Sequence, residues 1–75
     1  MNAQQIREVL TDTELPSSTR LVWAYLNVAS EPQNNTSLVR ELGLSHPTIS
    51  RAIQPLKHRG LIRRHNGVWI PEPAQ

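Results

Sequence analysis

At Gly60 the spacing of apolar residues switches from a helical period to an alternating one, and that switch narrows the folds open to this chain more than any other feature. Before it, Ile49, Ala52, Ile53 and Leu56 recur at the three- and four-residue steps of a single helical stripe, so residues 45–59 read as an amphipathic helix. After it, LIRRH and VWI flank Asn66-Gly67. Asn-Gly suits a two-residue type I′ turn, which pairs His65 with Val68, Arg64 with Trp69 and Arg63 with Ile70. The alternation leaves the inward face open: Leu61, Val68 and Ile70 share one side, Ile62 and Trp69 the other.

Upstream, the pattern is helical throughout. Residues 2–10 carry Ile6, Val9 and Leu10 at helical spacing, and TDTELP breaks that segment. Pro16-Ser17-Ser18 opens a longer helix reaching about residue 30, with either serine as its cap. This helix is apolar on nearly every side (Leu21, Val22, Trp23, Ala24, Tyr25, Leu26, Val28, Ala29), so it calls for cover on every side. Asn34 or Asn35 caps a short helix that ends at Leu42, and Gly43 marks a tight turn. Ser45 then caps the next helix, with Pro47 in its first turn, where a missing N–H costs nothing. Pro55 falls inside that helix and predicts a bend between 46–54 and 56–59. The expected class is mainly α with a small β-hairpin. Residues 1–15 form an N-terminal helix or arm, 16–70 a three-helix core with a two-stranded hairpin, and 71–75 a tail or linker.

Bulk properties exclude much else. With 75 residues and 37% hydrophobic content there is room for one small core. The chain has no cysteine, which removes disulfides, thiolate metal sites and thiol nucleophiles and fits a reducing cytoplasm. The apolar run Leu21 to Leu26 is far too short to cross a bilayer, and MNAQQIREVL has no cationic start followed by an apolar stretch. A soluble, unexported chain is expected. No catalytic set, paired carboxylates or Gly-rich phosphate loop is present, and His46, His58 and His65 have no acidic or thiol partners at ligand spacing. Neither an enzyme nor a metal or other cofactor is expected.

Charge supplies the positive clue. The first 45 residues carry three arginines against five acidic side chains, whereas the last 30 carry five cations against Glu72 alone. Polarised positive charge on a small domain is the footprint of a polyanionic partner.

Leu38-Val39-Arg40-Glu41-Leu42-Gly43-Leu44-Ser45, Thr48-Ile49-Ser50-Arg51-Ala52-Ile53, Leu56 and Gly60-Leu61-Ile62 together resemble the winged helix-turn-helix domain of MarR-type and ArsR-type bacterial and archaeal regulators. The resemblance spans about residues 18–70. It implies double-stranded DNA as partner, the third helix of the domain in the major groove, the hairpin on the flanking backbone or minor groove, and work as a small transcriptional regulator near the nucleoid. ArsR-type metal sites generally use cysteines, and this chain has none. No extra helical region is available to enclose the ligands many MarR-type proteins bind, so no small-molecule ligand is expected.

On this reading Pro47, Thr48, Ser50, Arg51 and Gln54 face the bases, with Arg51 suited to guanine and Gln54 to adenine. Ser45, His46, Thr36 and Ser37, at or beside helix starts, are placed for phosphates, as are Lys57, His58, Arg63, Arg64, His65 and Asn66. Arg64 has a competing place, stacked on its cross-strand partner Trp69, which leaves Arg63 the better phosphate ligand. Ile6, Val9, Leu10, Trp23 and Tyr25 are the expected contacts of a homodimer, with two reading helices about one DNA turn apart. If Trp23 instead packs under residues 1–10 of its own chain, the dimer loses its main support. Two further readings stand beside this one: a protein-interaction module, and the DNA-binding domain of a replication, partition or recombination protein.

Overall fold

In a computed structural model of the chain, residues 3–72 are described. Residues 1 and 2 and the last three residues of the expected 71–75 tail lie outside them, while Pro71 of that tail belongs to the second strand. The elements run α1 (Ala3–Leu10), α2 (Ser17–Val28), α3 (Asn35–Leu42), α4 (His46–His58), β1 (Ile62–His65) and β2 (Val68–Pro71). The chain is mainly helical with a two-stranded antiparallel hairpin, as expected.

Local chemistry accounts for most of the boundaries. Asn34 caps α3 in a reciprocal box: the Ser37 N–H donates to Asn34 Oδ1 at 2.8 Å and the Asn34 N–H donates to Ser37 Oγ at 2.9 Å. Ser45 caps α4, its Oγ accepting from the Thr48 N–H at 3.3 Å. At the far end of α4, Gly60 takes a φ of +69°. The Gly60 N–H then reaches the Lys57 carbonyl at 3.0 Å and the Leu61 N–H the Leu56 carbonyl at 2.9 Å, the paired bonds of a Schellman stop. Asn66 and Gly67 sit at φ +52° and +80°, as a type I′ turn requires, and the register is Ile62–Pro71, Arg63–Ile70, Arg64–Trp69 and His65–Val68.

One boundary departs from expectation. Neither Ser17 nor Ser18 caps α2; the cap position falls on Pro16, with no side-chain cap bond. The helix α4 runs from His46 to His58 as one element with Pro55 inside it.

The core lies where α2 crosses α4. Val22, Trp23 and Leu26 meet Ile49, Ala52, Ile53 and Leu56, while Leu38, Leu15, Val9, Ile62 and Trp69 close the sides. The hairpin therefore turns its Ile62 and Trp69 face inward. Trp69 also ties the hairpin to the start of α3. Its backbone N–H donates to the Gln33 carbonyl at 2.8 Å, and its indole N–H to Asn35 Oδ1 at 2.7 Å. This contact occupies part of an edge that β2 would otherwise leave open. At the base of the hairpin the Glu72 N–H donates to the Leu61 carbonyl at 2.9 Å.

Within the single chain α2 is not covered on every side, since Leu21 is 46% and Val28 78% exposed. Trp23, expected at a subunit boundary, is 2% exposed inside a single chain, and Val9 is likewise buried. Of the residues assigned to a dimer contact, Ile6 and Leu10 remain exposed and Tyr25 is half-buried. No helix among the described residues is long and apolar enough to cross a membrane.

Candidate functional site

With its isoleucines packed inward, α4 leaves His46, Pro47, Ser50, Arg51, Gln54, Lys57 and His58 exposed and Thr48 half-exposed. The first turn is internally braced. Thr48 Oγ1 and Ser45 Oγ lie 2.8 Å apart, and Arg51 Nε donates to the Pro47 carbonyl at 3.3 Å. That bond holds the start of the Arg51 guanidinium against the helix and leaves its two terminal nitrogens for other partners.

The hairpin meets the other end of this face. Lys57 Nζ and the Arg64 guanidinium carbon lie 5.6 and 5.4 Å from the centre of the Trp69 ring, both within cation–π range. The two cations come from different elements, α4 and β1, and the same buried indole fixes both. Of the two roles open to Arg64, the stacked one is present; its guanidinium still faces water, as a long cationic side chain lying along an apolar surface does.

Two other cations are neutralised within the fold. Arg59 pairs with Asp12 and, at 3.6 Å, with Glu14; Arg63 Nε lies 3.0 Å from Glu72 Oε1. Two of the five cations in the last 30 residues are thus compensated, because Asp12, Glu14 and Glu72 fold back onto them. Arg63, paired with Ile70 on the other face of the hairpin from Trp69, carries a carboxylate. Arg51, Lys57 and Arg64 have no ion pair among the described residues. Thr36, His65 and Asn66 are exposed, the last two at the hairpin tip. Ser37 Oγ is already committed, donating to the Asn34 carbonyl at 3.0 Å as well as closing the capping box. No group of three or more His, Cys, Asp or Glu side chains able to hold a metal ion occurs among the described residues.

The Arg59 pairing has a measurable consequence. The Arg59 guanidinium, then the Glu14 N–H at 3.0 Å, hold the Asp12 carboxyl below its ordinary value of 3.8. A carboxylate whose folded pKa is depressed adds stability above its unfolded value and loses it as pH falls through the folded one. Asp12→Asn is therefore expected to be less stable than the parent at neutral pH. The difference should close as the pH drops below about 3.8, as read by urea unfolding at a series of pH values.

Sequence reasoning missed one feature of this face. Beside the first half of α4, a groove of about 400 Å³ is lined by Pro16, Ser18 and Thr19 from the start of α2 and by Thr48, Arg51 and Ala52 from α4. Thr19 is fully buried, and its Oγ1 has no hydrogen-bond partner among the described residues. Neither Ser17 nor Ser18 caps α2, and Pro16, Ser18 and Thr19 at that helix start border the groove. No protein-family model, curated protein or solved structure matches this chain.

Proposed function

We propose that the chain is a winged helix-turn-helix that binds double-stranded DNA, with α3 and α4 as the helix pair, α4 in the major groove and the hairpin as the wing. The observation that carries this reading is the surface running from the start of α4 to the Lys57–Trp69–Arg64 cluster: exposed, cationic, and built from a stretch with no acidic residue between Glu41 and Glu72. Lys57 and Arg64, positioned over one indole and without ion pairs among the described residues, offer the kind of placed positive charge that a phosphate backbone attracts.

Short side chains at Pro47 and Ser50 let the helix approach base edges, and Gln54 has the donor–acceptor pair that matches adenine. Lys57 and Arg64 reach the flanking phosphates. His46 and Thr36, near the starts of α4 and α3, are placed for further ones. The work such a domain does best is transcriptional regulation, and two copies on a palindromic site would meet through exposed residues such as Ile6 and Leu10 rather than through Trp23. The ion pairs at Arg59 and Arg63 favour the rival reading, a protein-interaction module, because they shrink the basic face.

A salt titration of binding to a labelled duplex of random sequence, followed by fluorescence anisotropy, separates the two. Three unpaired cations predict that log K falls with log salt with a slope of about −3. A chain that leaves the anisotropy unchanged at low salt overturns the DNA reading.

A further inference from the structure

The helix α2 opens without a side-chain cap. Its first backbone hydrogen bond runs from the Arg20 N–H to the Pro16 carbonyl at 3.1 Å, so the N–H groups of Ser17, Ser18 and Thr19 precede the first helical bond. They carry the positive end of the dipole of a 12-residue helix. An uncapped helix start is common and says little alone. Here it borders a groove that also contains a fully buried threonine whose hydroxyl has no partner, and an arginine from the opposite wall. A buried hydroxyl without a partner carries a desolvation penalty in the free protein, which a ligand able to accept its hydrogen bond would relieve.

We propose that this groove seats a single backbone phosphate of the DNA, held by the N–H groups at the start of α2, by Thr19 Oγ1 and by the terminal nitrogens of Arg51. The proposal rests on the DNA-binding reading and changes one role within it. Arg51 is a phosphate ligand that clamps the strand between α2 and α4, and sequence reading falls to Pro47, Ser50 and Gln54. The occupant is a phosphate monoanion rather than a carboxylate side chain, because the groove is lined by residues that offer donors of three different origins and a tetrahedral group offers acceptors in several directions. Thr48 is not part of the seat, since its hydroxyl is engaged with Ser45.

Thr19→Val tests the seat, because valine keeps the shape of threonine and deletes only the donor. Binding of a random duplex is measured by anisotropy at low salt beside the thermal melt of the free protein. The variant is expected to bind about tenfold more weakly, the loss of one hydrogen bond to a charged group, with a melting temperature equal to or above that of the parent. In the parent, the backbone amide resonances of Ser17, Ser18 and Thr19 are expected to shift on titration with the same duplex. Parental binding that survives Thr19→Val undiminished, or a duplex titration that leaves those amides unmoved, overturns the seat and leaves DNA binding standing. A lowered melting temperature with weakened binding assigns Thr19 to the core and also overturns it. A parent chain with no duplex affinity overturns both readings together.

Discussion

Trp23→Ala is expected to lower the melting temperature by roughly 15–30 °C. The indole is 2% exposed, on the central helix, among the side chains that join α2 to α4. Removing a buried tryptophan costs about 3–5 kcal/mol, from lost apolar transfer and the cavity left behind. A domain of this size has roughly 4–11 kcal/mol of total stability, so one truncation takes away about a quarter of it or more. Each kcal/mol shifts the melt of so short a chain by about 4–8 °C. Circular dichroism melts of parent and variant measure the effect, and Val28→Ala, at a residue 78% exposed, is the control expected to move little. A parental melting curve for Trp23→Ala would mean that the indole does not hold α2 in the core, and would restore it as a candidate subunit contact.

The misplacement of Trp23 shows where sequence reading ends. The pattern of α2 says that the helix must be covered, but not by what; in a chain with two tryptophans and no phenylalanine the core draws on Trp23 first and leaves Leu21 and Val28 outside. The hairpin was legible because its turn residues fix the loop length, and the loop length fixes every cross-strand pair. Its inward face was not, since both faces carry apolar residues. Contacts remote in sequence decide it: Trp69 reaches Gln33 and Asn35 and receives Lys57 and Arg64 above its ring. The same remoteness hid the ion pair between Asp12 and Arg59, 47 residues apart, and with it the narrowing of the basic face. Of the candidate site, the outward residues of α4 follow from helical spacing alone, whereas the groove against α2 depends on a helix crossing that spacing does not encode.

If the face of α4 carries the function, reversing its charge should abolish binding while the fold remains. Arg51→Glu combined with Lys57→Glu is expected to weaken binding to a random duplex about 100-fold or more in moderate salt, because each lost phosphate contact is worth about tenfold there and each new carboxylate adds repulsion. The magnitude of the log–log salt slope should fall by about 2. Both side chains are exposed and neither has an ion pair among the described residues. The loss of stability is therefore limited to the Lys57 contact with Trp69, about 0.5–1 kcal/mol, and a carboxylate near the negative end of α4, about 0.3–1 kcal/mol. The matched comparison is Arg59→Glu with Arg63→Glu. It changes the net charge equally, but at positions already neutralised by Asp12, Glu14 and Glu72, so its effect on affinity should be smaller than that of the α4 pair. Equal losses from the two pairs would mean that binding answers to net charge alone. A folded Arg51→Glu, Lys57→Glu protein that grips the duplex as tightly as its parent would remove α4 from the interface.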